Sequence, residues 1–273
     1  MKKLLTLGLL AASALTLAAC GSKTSDSASE TSGKEKITLA TVGTTRPFSY
    51  EDDKGNLTGY DIEVAKAVFE GSDKYEVTYQ KTEWSSIFTG LDSDKFQIGA
   101  NNISYTAERA NKYLYSNPIA SNPSVLVVQK GSDIKSYDDI AGRTTQVVQG
   151  TTSAAQLETY NEENKDKPVE LSYTNENITT ILRNVNEGKF DFKIFDKIAV
   201  NSIVKSQGLD NVEVIELPSD QQPYVYMIFG QDQTDLQTFV NKRIKELYDN
   251  GTLEKISQEY LEGSYLPASA DVK

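Results

Sequence analysis

Histidine is absent from this chain of 273 residues, and cysteine and tryptophan occur once each. Without histidine there is no Ser-His-Asp triad, no Cys-His pair and no imidazole metal site. One cysteine permits no internal disulfide and no cysteine-rich zinc site. Basic residues are also few, 28 Lys and Arg against 39 Asp and Glu, for a formal net charge of -11. Such a surface excludes the basic patch that nucleic acid demands, so no nucleic-acid partner is expected. No metal and no cofactor are expected either. Any catalysis would fall to carboxylates, lysines or tyrosines. The length allows one or two domains with a real core.

Long hydrophobic runs are missing too, apart from Leu4 to Leu17 at the N-terminus. That run follows Lys2 and Lys3 and is too short for a spanning helix of about 20 residues. A charged start, a short apolar stretch and small residues form a secretory signal, expected over residues 1–19. The run ends Leu17-Ala18-Ala19-Cys20-Gly21-Ser22. This resembles a bacterial lipobox, which implies a lipidated Cys20 as the new N-terminus. Acyl chains there would tether the protein to the membrane from outside. Residues 20–35 are polar and aperiodic, and are expected to form the lipidated cysteine and a flexible tether.

From Lys36 onward strand-like and helix-like patterns alternate. Strand-like runs are Ile37–Val42, Tyr75–Tyr79, Phe96–Ala100, Ser124–Gln129, Thr145–Gln149, Phe190–Phe195, Val212–Leu217 and Tyr224–Phe229. Helical spacing joins Ile62, Ala65, Val68 and Phe69, then Trp84, Ile87, Phe88 and Leu91. It returns at Ile178, Ile181, Leu182 and Val185, and at Leu236, Phe239, Val240 and Leu247. Gly188 and Gly251 stand where C-terminal caps belong. The alternation predicts an α/β architecture with mostly parallel sheets. Polar breaks at Lys130–Asp133 and Pro218–Pro223 divide it. The expected organisation is a first lobe of residues 36–130 and 224–265, a second lobe of 131–223, and a C-terminal tail of 266–273.

Several motifs recur in one order: Arg46-Pro47-Phe48, Gly59-Tyr60-Asp61-Ile62-Glu63-Val64, Thr82-Glu83-Trp84, Ser104 to Arg109, Gln149-Gly150-Thr151-Thr152, and Gly188 to Asp191 with Asp196. Together they resemble the family 3 extracellular solute-binding proteins, the polar amino-acid receptors of ABC importers. The resemblance runs from Ile37 to about Leu261. It departs at Phe192 and Phe69, where smaller residues are usual; both are expected to be packing positions. The resemblance implies a two-lobed Venus-flytrap fold with two hinge crossovers, a monomeric receptor and a membrane permease as partner. Lys81 to Trp84, Leu91 to Ser93 and Asn101 to Ser104 are most similar to the cystine-binding branch. Cystine or a related sulfur amino acid is thus the first expectation, and glutamine or another polar amino acid the second.

A free amino acid is a zwitterion, and burying either charge unpaired costs several kcal/mol. Arg109 is the candidate for the carboxylate, since guanidinium matches it bidentately. Thr151 and Thr152 open an expected helix, whose free N–H groups favour an anion; ordinary capping is the alternative. Asp196, at the end of a strand-like run, is the ammonium candidate, with helix capping again the alternative. The resemblance adds the Ser104 hydroxyl, the Asn102 carbonyl and the Trp84 ring. Trp84 could equally pack in the core. Arg46 could meet a second polar end of the ligand or be a solvated loop charge. A same-fold enzyme such as a dehydratase, and a surface adhesin, are the rival functions.

Overall fold

The computed structural model describes residues 33–218 and 223–273. The expected signal segment, Cys20 and most of the tether lie outside the described residues. The chain opens with β1 (Glu35–Thr41), the short strands β2 (Thr44–Thr45), β3 (Ser49–Glu51) and β4 (Leu57–Thr58), and α1 (Tyr60–Phe69). There follow β5 (Tyr75–Lys81), α2 (Trp84–Asp92), β6 (Ile98–Ser104), α3 (Ala107–Ala110), β7 (Leu114–Tyr115) and β8 (Ala120–Ser121). A second run holds β9 (Ser124–Gln129), β10 (Thr144–Val147), α4 (Thr152–Glu163), β11 (Glu170–Tyr173), α5 (Ile178–Asn186), β12 (Phe192–Asp196), α6 (Lys197–Gln207) and β13 (Val212–Glu216). The chain closes with β14 (Tyr224–Phe229), α7 (Thr234–Asp249) and α8 (Thr252–Leu261).

The fold is α/β and two-lobed. The first lobe's main sheet runs β5-β1-β6-β14-β7, with β8 also on β14; the second lobe's runs β11-β10-β12-β9-β13, and a small third sheet pairs β2-β3-β4. β1, β5 and β6 pair in parallel, as do β10, β11 and β12. The crossover strands β14 and β9 run antiparallel to their neighbours, because the chain enters each lobe against the local strand direction. The sheets are therefore less parallel than the alternation of elements implied.

The boundary at residue 130 needs correction. β9 pairs with β12 and β13 in the second sheet, so the first crossing precedes it at Asn122-Pro123. The Lys130–Asp133 break is a turn inside the second lobe, with Gly131 at φ 80°. The two crossovers touch: Asn122 N–H donates to the Pro223 carbonyl at 2.6 Å. Of the C-terminal segment, Val272 is buried and Leu266 packs on the first core.

Packing follows the periodicities. Ile62, Val64, Ala65 and Val68 bury α1 among β5, β6, α7 and α8. Full burial of such side chains is worth about 1.5–3 kcal/mol each. Ile181, Leu182 and Val185 of α5 close over Val125 and Val127 of β9. Phe192 lies fully buried in the second lobe, and Phe69 stacks on Phe239 at 5.7 Å. At Gly59, φ is 109° and a Cβ would fall 2.6 Å from the Phe48 carbonyl oxygen, so only glycine turns the chain into α1 there.

Candidate functional site

Between the lobes lies a cavity of about 1270 Å³. The C-terminal ends of β1, β5, β6, β10 and β12 feed its walls, where open α/β sheets gather ligand groups. Seven of the eight predicted ligand residues line it: Trp84, Asn102, Ser104, Arg109, Thr151, Thr152 and Asp196.

Arg109 is 9% exposed. Thr106 caps the short helix α3, accepting the Arg109 N–H at 3.1 Å, and so fixes where the side chain departs. Its guanidinium lies 5.4 Å from the Trp84 ring and 5.3 Å from the Phe88 ring. Nη1 donates to the Ser104 carbonyl at 3.0 Å and Nη2 to the Gly150 carbonyl at 2.7 Å. The second bond spans the lobes. Burial lowers the guanidinium's pKa from its ordinary value, yet such a group stays charged in proteins. Five N–H donors leave capacity for a carboxylate beyond these two bonds.

Ser104 thus contributes its carbonyl to the Arg109 arrangement, where the sequence pointed to its hydroxyl. Trp84 belongs to both rival readings: it lines the cavity, and its ring meets Phe88 edge-on at 5.0 Å. Its Nε1 is buried without a hydrogen-bond partner. Across the cleft, Thr151 caps α4, accepting from the Ala154 N–H at 3.3 Å and donating to the Val148 carbonyl at 2.7 Å. Its side chain is therefore committed. Of the first-turn amides, Ala154 gives its N–H to that cap and Ala155 begins the intrahelical bonds, so those of Thr152 and Ser153 keep their donors.

Asp196 occupies the N-cap position of α6, but its side chain makes no capping bond. It turns instead to Asn102, whose Nδ2 donates to Asp196 Oδ2 at 2.6 Å. Burial pushes the Asp196 carboxyl up to about 7, against the opposing pull of the Asn102 bond and the Lys193 charge. Lys193 is itself buried beneath the site, held down to about 8 by burial, and donates to the Gln146 carbonyl at 3.0 Å. Asn102 sits at φ 50° and gives its N–H to Asp61 Oδ2, a carboxyl that burial also pushes up to about 7.

Arg46 does not line this cavity. Its guanidinium stacks on Tyr50 at 3.8 Å and reaches the Glu51 carbonyl at 3.4 Å. It borders a separate groove of about 560 Å³ with Lys205 and Glu262. Thr44 and Thr45 of β2 line the cavity, but the chain turns at Arg46 and its side chain does not.

Sequence reasoning missed Asn101, Asn175 and Glu176, which line the cavity. The Asn101 side chain accepts from the Val42 N–H at 3.0 Å and from the Thr41 hydroxyl at 3.1 Å, tying β6 to the end of β1. The sequence marked it only as part of the Asn101 to Ser104 stretch, without a ligand role. Asn175 and Glu176 stand in a loop with no periodic signal.

The sequence profile of the bacterial extracellular solute-binding proteins, family 3, matches residues 37–263. The L-cystine-binding protein TcyA of Bacillus subtilis (strain 168) is 33% identical over 272 residues, 95% of this chain and 97% of that protein. A structure from work on glutathione import in Gram-positive bacteria via GshT and the cystine ABC importer TcyBC of Streptococcus mutans is 67% identical. It covers 88% of this chain and 100% of that one, with a TM-score of 0.86. A putative L-cystine ABC transporter from Listeria monocytogenes is 26% identical, with a TM-score of 0.78 over 85% of this chain and 98% of that one.

Proposed function

The chain belongs to the bacterial extracellular solute-binding proteins, family 3, and from that premise we propose that it captures glutathione for an ABC importer. The observation that carries this reading is Arg109 and Asp196 on one cavity, a cation from the first lobe and an anion from the second. The γ-glutamyl end of glutathione is an amino-acid zwitterion. Its carboxylate would take the free donors of Arg109 and the first-turn amides of α4. Its ammonium would take Asp196. The remaining cavity wall carries Lys81, Glu83, Asn175 and Glu176, which suit a ligand longer than one amino acid. Lys81 pairs with Glu51 at 2.5 Å and could exchange that partner for the glycine carboxylate. The relative at 67% identity supports glutathione.

Cystine is the second reading, supported by the relative TcyA. It presents the same zwitterion at each end and would set Glu83 or Glu176 against its second ammonium. In both readings Trp84 offers a polarisable face to sulfur. The lobes would close on the ligand and present it to the membrane permease, with Cys20 as the lipid anchor. Labelled fatty acid retained by the wild-type chain and lost from Cys20→Ala tests that anchor. Titration calorimetry of the ligand-stripped protein with reduced glutathione, oxidised glutathione, cystine, glutamine and arginine tests the ligand. Glutathione binding tightest supports the proposal; cystine binding more tightly than glutathione replaces it with the second reading. Recovery of unchanged ligand separates a receptor from an enzyme on the same fold.

A further inference from the structure

Three hydrogen bonds form a closed circuit across the lobes behind the cleft. The Ile198 N–H, in the first turn of α6, donates to Asn122 Oδ1 at 3.1 Å. Asn122 Nδ2 donates to Asn102 Oδ1 at 3.0 Å. Asn102 Nδ2 donates to Asp196 Oδ2 at 2.6 Å. Asp196 and Ile198 flank Lys197, so the circuit returns to the α6 N-terminus where it started. A backbone N–H can only donate and a carboxylate can only accept. Those two ends leave each of the intervening amides a single orientation. Asn122 is 4% exposed, lies in the first crossover and also binds the second through Pro223. It is absent from the cavity wall.

We propose that Asn122 is a positioning residue for the ligand's ammonium site. It turns the Asn102 amide so that a donor, rather than a carbonyl, faces Asp196 Oδ2, leaving Asp196 Oδ1 for the ligand. Because Asn102 belongs to the first sheet and Asp196 to the second, the circuit bridges the lobes. Asn122 therefore links the ammonium partner to lobe closure. This inference rests on the reading of Asp196 as that partner.

Titration of the full chain at pH 7.5, with reduced glutathione and cystine as probes, compares Asn122→Ala, Asn122→Asp, Asp196→Asn and the double variant Asn122→Ala/Asp196→Asn. Asn122→Ala is expected to weaken binding about tenfold by unpairing Asn102. Asn122→Asp keeps the size and the acceptor for Ile198, but its carboxylate draws the Asn102 donor to itself and turns the Asn102 carbonyl on Asp196. It should bind more weakly than Asn122→Ala. A merely structural Asn122 gives the reverse order, because the isosteric carboxylate preserves packing. The double variant should bind no more weakly than Asp196→Asn alone, the mark of one coupled unit. Should Asn122→Asp fail to fold, that comparison decides: additive losses overturn the positioning role. Wild-type affinity in Asp196→Asn would overturn the ammonium site and this inference with it. A weakened Asp196→Asn beside an unaffected Asn122→Ala would overturn the inference alone.

Discussion

Arg109 and Asp196 face one cavity from different lobes, and they hold charge by different means. The guanidinium rests against two aromatic rings and two carbonyls, and its charge is fixed at any working pH. The carboxylate has one short bond from an amide, and burial brings its titration to about 7. One wall of the site is permanent and the other adjustable. Substrate capture should therefore fail outright when the first is removed and fade gradually when the second is titrated.

Removing the permanent wall gives the largest effect. If Arg109 holds the ligand carboxylate as proposed, Arg109→Ala leaves that carboxylate buried without its cation, a loss of about 2–5 kcal/mol of binding free energy. The melting temperature of the ligand-free variant should change little, since the substitution also removes a desolvated charge. Calorimetry finding affinity within about threefold of wild type would break the comparison at its stronger side.

Acid should erode the other wall. On the proposed reading the ammonium needs an ionised Asp196, so binding lowers that carboxyl's pKa from its ligand-free value of about 7. Affinity is then full above pH 7 and declines below it, by up to about 30-fold at pH 5.5 if the bound carboxyl stays ionised. Asp196→Asn should bind weakly and lose this dependence. The folded protein without ligand moves the opposite way. Asp61 and Asp196 both bind protons more tightly folded than unfolded, so between pH 7 and 5 their contribution to stability grows as pH falls. Lys193, held down to about 8, is charged throughout that window. Calorimetric affinities and thermal melts over pH 5.5–7.5 should diverge in sign; parallel trends would count against the assignment of Asp196.

The two walls were also unequally legible. Arg109 could be placed because it ends the Ser104 to Arg109 motif and its guanidinium matches a carboxylate. Asp196 was ambiguous, since Asp before an apolar helical stretch is the usual sign of a cap. Only the fold shows its carboxylate leaving that role for Asn102, a residue 94 positions away. Regular elements followed the same rule. β9 and β14 occupy the runs marked by their β-branched and aromatic residues, and the face of α5 is visible in its spacing. The β2–β4 strands are too short to carry a period. The lobe boundary was misplaced because Asn122-Pro123 and Lys130–Asp133 both look like turns, and strand pairing alone distinguishes a crossover from a loop. Asn122 itself carried no signal, because its role exists only once three distant segments meet.

The smallest expected effect concerns a third charge, Arg46, which sharpens the contrast by standing outside it. A cation is useful to a zwitterion only where water is excluded and the partner charge is near. The Arg46 side chain is exposed, stacked on Tyr50 and borders the outer groove rather than the cavity. An exposed cation–π contact contributes about 0.5–1 kcal/mol. Arg46→Ala should therefore lower stability by about that amount or less and leave ligand affinity unchanged, readable by denaturant melts beside calorimetry. Wild-type stability with weakened binding would mean that the glycine end of glutathione, or the second head of cystine, extends out of the cavity to the hairpin. The distal contact would then pass from Lys81 to Arg46, with the Arg109 and Asp196 walls unaltered.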